Sequence, residues 1–174
     1  MNVVVTEYSD NWVQNYIEES QQIRSIFGQE LVDIHHIGST SVPGLKAKPI
    51  IDIMPVVKDI KQVDSFNEQM RSLGYECMGE FGMSGRRYFR KGGDNRTHQV
   101  HVFQADNEED ITRHLAVRDY LRTHSDDTQR YGELKESLAR QFPRDIEAYM
   151  DGKDTFVKEL ETKALNWYNV SKDS

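Results

Sequence analysis

The chain has 174 residues, 37% of them apolar, with a single cysteine and a formal net charge of −7. This is enough for one compact core without a metal or disulfide staple, and the lone Cys77 excludes an intramolecular disulfide. The negative charge opposes binding to extended nucleic acid or to an anionic membrane, and no apolar run reaches the length of a leader or a span, so a cytoplasmic protein is expected.

Residues 9–27 read as an amphipathic helix with Trp12, Tyr16, Ile23 and Phe27 facing inward, stopped by Gly28. Residues 31–37 read as a first strand. Residues 49–57 form a nearly continuous apolar run, the signature of a strand covered on both faces, and Asp52 sits inside it. Helical spacing over residues 59–73, ended by Gly74, predicts a strand-helix-strand unit, with residues 75–81 as a further strand. Residues 86–91 and 97–104 flank Gly92-Gly93-Asp94-Asn95-Arg96, which is hairpin turn chemistry.

Beyond the acidic loop of residues 106–110, the pattern is helical over 111–124, 128–142 and 145–167, with a break at Pro143. The expected fold class is therefore α+β with an α/β core: a mixed sheet flanked by helices over residues 1–105, and a helical C-terminal part, 106–174, packed on it as one unit. A cleft between the two parts is the expected ligand site.

Gly38-Ser39 follows the first strand at a turn where bare backbone N–H groups and a hydroxyl can converge on an anion, although a tight turn uses the same dipeptide. Asp52 adds weight, because a carboxylate inside an apolar strand needs a metal, a cation or backbone donors. An apolar residue, Gly-Ser, a spacer and a strand carboxylate resemble the nucleotidyltransferase superfamily of the DNA polymerase β type. Ile37-Gly38-Ser39 and Asp52-Ile53 fit that pattern; Met54 stands where its second carboxylate would be, and a thioether is a poor ligand for Mg²⁺.

Longer words carry a closer resemblance, to the GrpB family of small bacterial proteins. They are His36-Ile37-Gly38-Ser39-Thr40-Ser41-Val42-Pro43-Gly44-Leu45, Lys48-Pro49-Ile50-Ile51-Asp52-Ile53, Arg87-Tyr88-Phe89-Arg90-Lys91, Thr97-His98-Gln99-Val100-His101-Val102 and His114-Leu115-Ala116-Val117-Arg118-Asp119-Tyr120-Leu121, followed by Tyr149 and Lys153. The resemblance implies a nucleotidyltransferase-like fold over nearly the whole chain. It also implies a nucleotide or other phosphorylated small molecule as ligand, held with Mg²⁺ or another divalent cation.

On this reading His36, Gly38, Ser39 and Ser41 are candidates to hold phosphate, and Asp52 is the candidate metal ligand. His101 shares a strand face with Gln99 and lies opposite His98, and is the candidate for the third carboxylate's place, as metal ligand or general base. Arg87, on a strand rich in arginine and lysine, is a candidate phosphate contact, although a solvated edge strand accounts for that cluster equally; Arg118, in a helical row with His114 and Arg122, is another, raised by the family resemblance alone above the solvated face that such a row more often forms. Lys153 is a candidate clamp, with Tyr149 as its packing or stacking partner. The activity expected is transfer of a nucleotidyl group to a small molecule or protein. Met54 keeps two alternatives open: a non-catalytic phosphate-binding regulatory module, and a metal-assisted phosphohydrolase using Asp52 with His36 or His101. No Gly-Lys-Ser or Gly-Lys-Thr phosphate loop is present, which excludes a kinase of that type.

Overall fold

The computed structural model describes residues 2–173, with side chains described through residue 170. Helix α1 (Asn11–Phe27) leads into strand β1 (Leu31–Ile37), a short 3₁₀ turn at Ser39–Ser41 and strand β2 (Ile51–Val57). A 3₁₀ segment, Ile60–Phe66, then precedes the short helix α2 (Asn67–Ser72). Strands β3 (Tyr75–Cys77), β4 (Arg86–Lys91) and β5 (His98–Gln104) follow, and helices α3 (Glu108–Thr123), α4 (Ser125–Gln141) and α5 (Ile146–Asp173) complete the fold.

The five strands form one mixed sheet in the order β1-β2-β5-β4-β3. β2 and β5 are parallel neighbours, and the other pairs are antiparallel. The strand-helix-strand expectation is met in direction only, because β3 lies at the far edge with β5 and β4 between it and β2. Two boundaries differ from the periodic reading. The apolar spacing of residues 59–73 is divided between the 3₁₀ segment and the short helix α2, and the strand expected over 75–81 stops at Cys77, where Gly79, Gly82 and Gly85, all at positive φ, turn the chain away.

The alternation of side chains along each strand divides the sheet into two unlike faces. On one, Ile34, Ile51, Ile53, Val100, Val102 and Phe89 pack with Ile23 and Phe27 of α1 and with Val63 and Met70. On the other, Ile37, Met54 and Phe103 are covered by Ile111 and Leu115 of α3. The C-terminal helices have a core of their own, in which Tyr120, Leu121, Tyr131 and Leu160 meet Val42 and Leu45 from the segment between β1 and β2. That segment is thereby fixed against α4, and this brings helical side chains over the C-terminal end of β1 and the N-terminal end of β2. Among the described residues, no helix is long and apolar enough to cross a membrane.

Candidate functional site

Gly38 has φ +73°, and a methyl group built on it would lie 2.6 Å from Asp52 Oδ2. The turn therefore needs glycine twice, for its backbone and for the carboxylate that rests against it. Ile37 and Asp52 are register partners in the β1·β2 ladder, which places the turn at the carboxylate. On the other side of Asp52, His101 Nε2 lies 3.0 Å from Oδ1, while Arg86 approaches His101 Nδ1 at 3.5 Å. A guanidinium can only donate, so Nδ1 is the acceptor and Nε2–H donates to Asp52. His101 thus orients the carboxylate.

Beside Asp52 opens a pocket of about 280 Å³, its wall including Ser39, Lys48, Arg96, Lys135, Tyr149 and Lys153. Lys135 comes from α4, is buried and donates to Ser39 Oγ; its ammonium also lies 4.1 Å from the centre of the Tyr131 ring. Burial, reinforced by Lys153 and Lys48, holds its pKa well below the usual lysine value. Burial likewise lowers Lys153 to about 8, again with Lys48 contributing. Lys48 is lowered too, mainly by burial, with Arg96 adding to the effect and Asp52 opposing it. The ammonium groups of Lys48 and Lys153 approach the Tyr149 ring at 5.1 and 5.4 Å. Among the described residues, Arg96 Nε and Tyr149 Oη are buried without a hydrogen-bond partner.

The structure brings together Gly38, Ser39, Asp52, His101 and Lys153, and sends other candidates elsewhere. His36 points to the opposite face, stacked on Tyr16 with ring centres 4.7 Å apart and bonded to Thr40 Oγ1 at 3.0 Å. Burial lowers its pKa to about 4, so it is neutral at pH 7 and presents no charge to a phosphate. Arg87 is also on that face and forms an ion pair with Asp64 at 2.8 Å.

Arg118 binds Asp119 and the His36 carbonyl, and Arg122 binds the Ser41 carbonyl, so this row fastens α3 to the turn. The Ser41 hydroxyl is taken by the Gly38 carbonyl. Lys48, Arg96 and Lys135 were missed as site residues. Lys135 carried one readable signal: with Tyr131 and Leu138 it lies on the inward stripe of α4, where a lysine is out of place.

The donor set fits a divalent cation poorly. Mg²⁺ requires near-octahedral oxygen coordination, yet among the described residues no three His, Cys, Asp or Glu side chains gather at one point. Asp52 already accepts from His101, and the pocket around it is cationic. Met54, in the place of the second carboxylate, is fully buried against Ile37 and Phe103.

The profile of the GrpB protein family matches residues 2–163. The chain belongs to the GrpB family. The protein called UPF0157 protein YqkA of Bacillus subtilis is 46% identical to this GrpB-family chain over 165 residues, which are 95% of the chain and 48% of that protein. The chain therefore spans about half the length of that relative, and 64% of the Pseudomonas aeruginosa relative UPF0157 protein PA4798.

Glutamate-rich protein GrpB of Alkalihalophilus pseudofirmus is 34% identical, covering 91% of this chain and 93% of its own. The crystal structure of the conserved protein GrpB from Enterococcus faecalis superposes with TM-score 0.93 and 48% identity, over 95% of this chain and 99% of that one. A structure of Cid1 with a UTP analogue superposes with TM-score 0.53 and 14% identity, over 78% of this chain and 43% of that one. Cid1 is described as a poly(U) polymerase, and the likeness establishes a shared nucleotidyltransferase-type fold.

Proposed function

We propose that this GrpB-family protein binds the phosphate groups of a nucleotide or another phosphorylated small molecule in the pocket beside Asp52. One observation carries the reading: Lys48, Lys135, Lys153 and Arg96 converge there with the Ser39 hydroxyl, and Asp52 is the one carboxylate among the lining residues. Buried and half-buried cations that outnumber their one carboxylate are costly unless a ligand supplies the remaining counter-charge. The shared fold with Cid1, which is seen with a UTP analogue, supports a nucleotide as a member of the ligand class.

The test is a thermal-shift screen of nucleotides, sugar phosphates and pyrophosphate on the wild-type chain and on Lys135→Met. A ligand at a hundred times its dissociation constant should stabilise the wild type by about 2.7 kcal/mol, and the shift should vanish in the variant. A screen in which no phosphorylated compound stabilises the wild type would sink the proposal.

A second reading, transfer or hydrolysis at a bound phosphate, is favoured by the Asp52–His101 hydrogen bond. Here Asp52 would accept a proton from the attacking hydroxyl, with His101 as the positioning residue that fixes its orientation. Turnover of a bound nucleotide, monitored by phosphate or pyrophosphate release, should fall in Asp52→Asn and shift in pH profile in His101→Asn. Release unchanged in both variants would reject this reading and leave binding alone. Met54→Asp is a poor route to restored two-metal chemistry, because it would bury a carboxylate in the apolar cluster of Ile37, Phe103 and Leu115.

A further inference from the structure

We infer that the pocket takes a linear di- or triphosphate group free of divalent metal, with Lys48, Lys135, Lys153 and Arg96 providing the positive charge that Mg²⁺ would otherwise bring. The inference rests on the phosphate-binding reading above and names the form in which the ligand enters.

Four cationic side chains against the single carboxylate of Asp52 leave a formal excess of three positive charges in the pocket wall. A phosphate group carries about −1.5 to −2 near neutral pH, so one such group undershoots that excess, and two or three linked groups match or exceed it. A magnesium complex would do the opposite. It would bring two further positive charges to a net positive wall and screen the phosphate oxygens from the lysines. The order of charges across the site points the same way, since Asp52 is held between His101 on one side and the pocket's cations on the other, with no second acid among the lining residues to share a metal.

Size agrees with charge. Pockets for drug-sized ligands run from roughly 300 to 1,000 Å³, and this one, at about 280 Å³, suits a phosphate chain better than an entire nucleotide. The remainder of a larger ligand would lie over the rim, where Met150 is exposed beside Ile146. Burial and mutual repulsion keep Lys135 and Lys153 below their ordinary protonation range. A polyanion relieves that repulsion, and Arg96 Nε and Tyr149 Oη are further donors in the wall without a partner of their own.

The experiment is calorimetric titration of the whole chain with sodium pyrophosphate, triphosphate and orthophosphate, each in EDTA and in excess Mg²⁺. Pyrophosphate should bind in EDTA at least as tightly as in Mg²⁺, and at least tenfold more tightly than orthophosphate. Lys153→Met and Arg96→Met, which alter separate elements, should each weaken pyrophosphate at least tenfold. Asp52→Asn should strengthen it, because the variant removes the only negative charge in the wall and keeps the shape.

Binding that is absent in EDTA, or tighter in Mg²⁺, or abolished by Asp52→Asn, would overturn the metal-free inference and leave the phosphate-binding reading standing. If neither pyrophosphate nor triphosphate binds under either condition, the inference fails, and the thermal-shift screen above decides whether the phosphate-binding reading fails with it.

Discussion

The two faces of the sheet handle charge in opposite ways. Under α1, Glu19 is nearly buried and takes Lys91 at 2.7 Å and His98 at 3.2 Å, while Asp64 takes Arg87 at 2.8 Å. Under α4 and α5, three lysines and Arg96 gather around Asp52 alone among the lining residues. The first arrangement is self-sufficient: its ions are neutralised within the chain and fasten α1 and the 3₁₀ segment to the sheet. The second is incomplete, and its lysines repel one another in a setting that already penalises their charge. That expense, with no counter-charge inside the chain, is the ground for the phosphate site proposed above.

Four substitutions break or sharpen this contrast. Glu19→Ala should be the most damaging to stability, at about 3–5 kcal/mol, because it leaves Lys91 and His98 without their shared acid. Chemical denaturation would measure that loss, and pyrophosphate affinity should stay as in the wild type.

Lys153→Met should act in the other direction and stabilise the chain at pH 7 by about 3 kcal/mol. The unfolded lysine holds its proton up to its ordinary 10.5, whereas the folded one releases it at about 8. The unfolded state therefore binds more protons between those values, and wild-type stability rises with pH across that window. The advantage of the variant is complete below pH 8 and shrinks towards pH 10.5, a trend that denaturation curves at pH 7, 9 and 10.5 would reveal; a pH-independent difference would contradict the assigned cause.

Gly38→Ala comes next, at about 1–3 kcal/mol, because it forces a side chain into positive φ and against Asp52. Its melting temperature should fall, and its pyrophosphate affinity should change, because Asp52 and Ser39 both move. Arg87→Ala is the smallest, at about 0–1 kcal/mol, since its partner Asp64 is more than half exposed. It should leave binding of pyrophosphate untouched, which separates the paired face from the unpaired one.

Much of this contrast could be read from residue order, and its limits have physical causes. The pairing of Gly38-Ser39 with Asp52 is written in a short stretch of chain, because a β1-turn-β2 hairpin-like path brings its own ends together. The separation of His98 from His101 follows from the strand period, and the structure keeps it, with Glu19 beside one and Asp52 beside the other. By the same period Arg87 lies on the opposite face of β4 from Arg86, Tyr88 and Arg90. Which of those groups comes against His101 depends on the β4·β5 register, where Tyr88 opposes it and Arg86 reaches its Nδ1.

Lys135 was hidden for another reason. Its role comes from the docking of α4 on the segment between β1 and β2, and no local pattern encodes that contact. His36, adjacent to the turn in sequence, was drawn into the site by proximity, yet the alternation of β1 turns its ring towards Tyr16.

Ser39 and the lysine that donates to it are 96 positions apart in the chain. During synthesis the N-terminal part emerges first, so the pocket cannot exist until α4 and α5 have been made and laid down on the sheet. Neither half possesses it alone. An anion that occupied the pocket would therefore tie α4 and α5 to the turn after β1 and favour the docked arrangement over forms in which they lie apart.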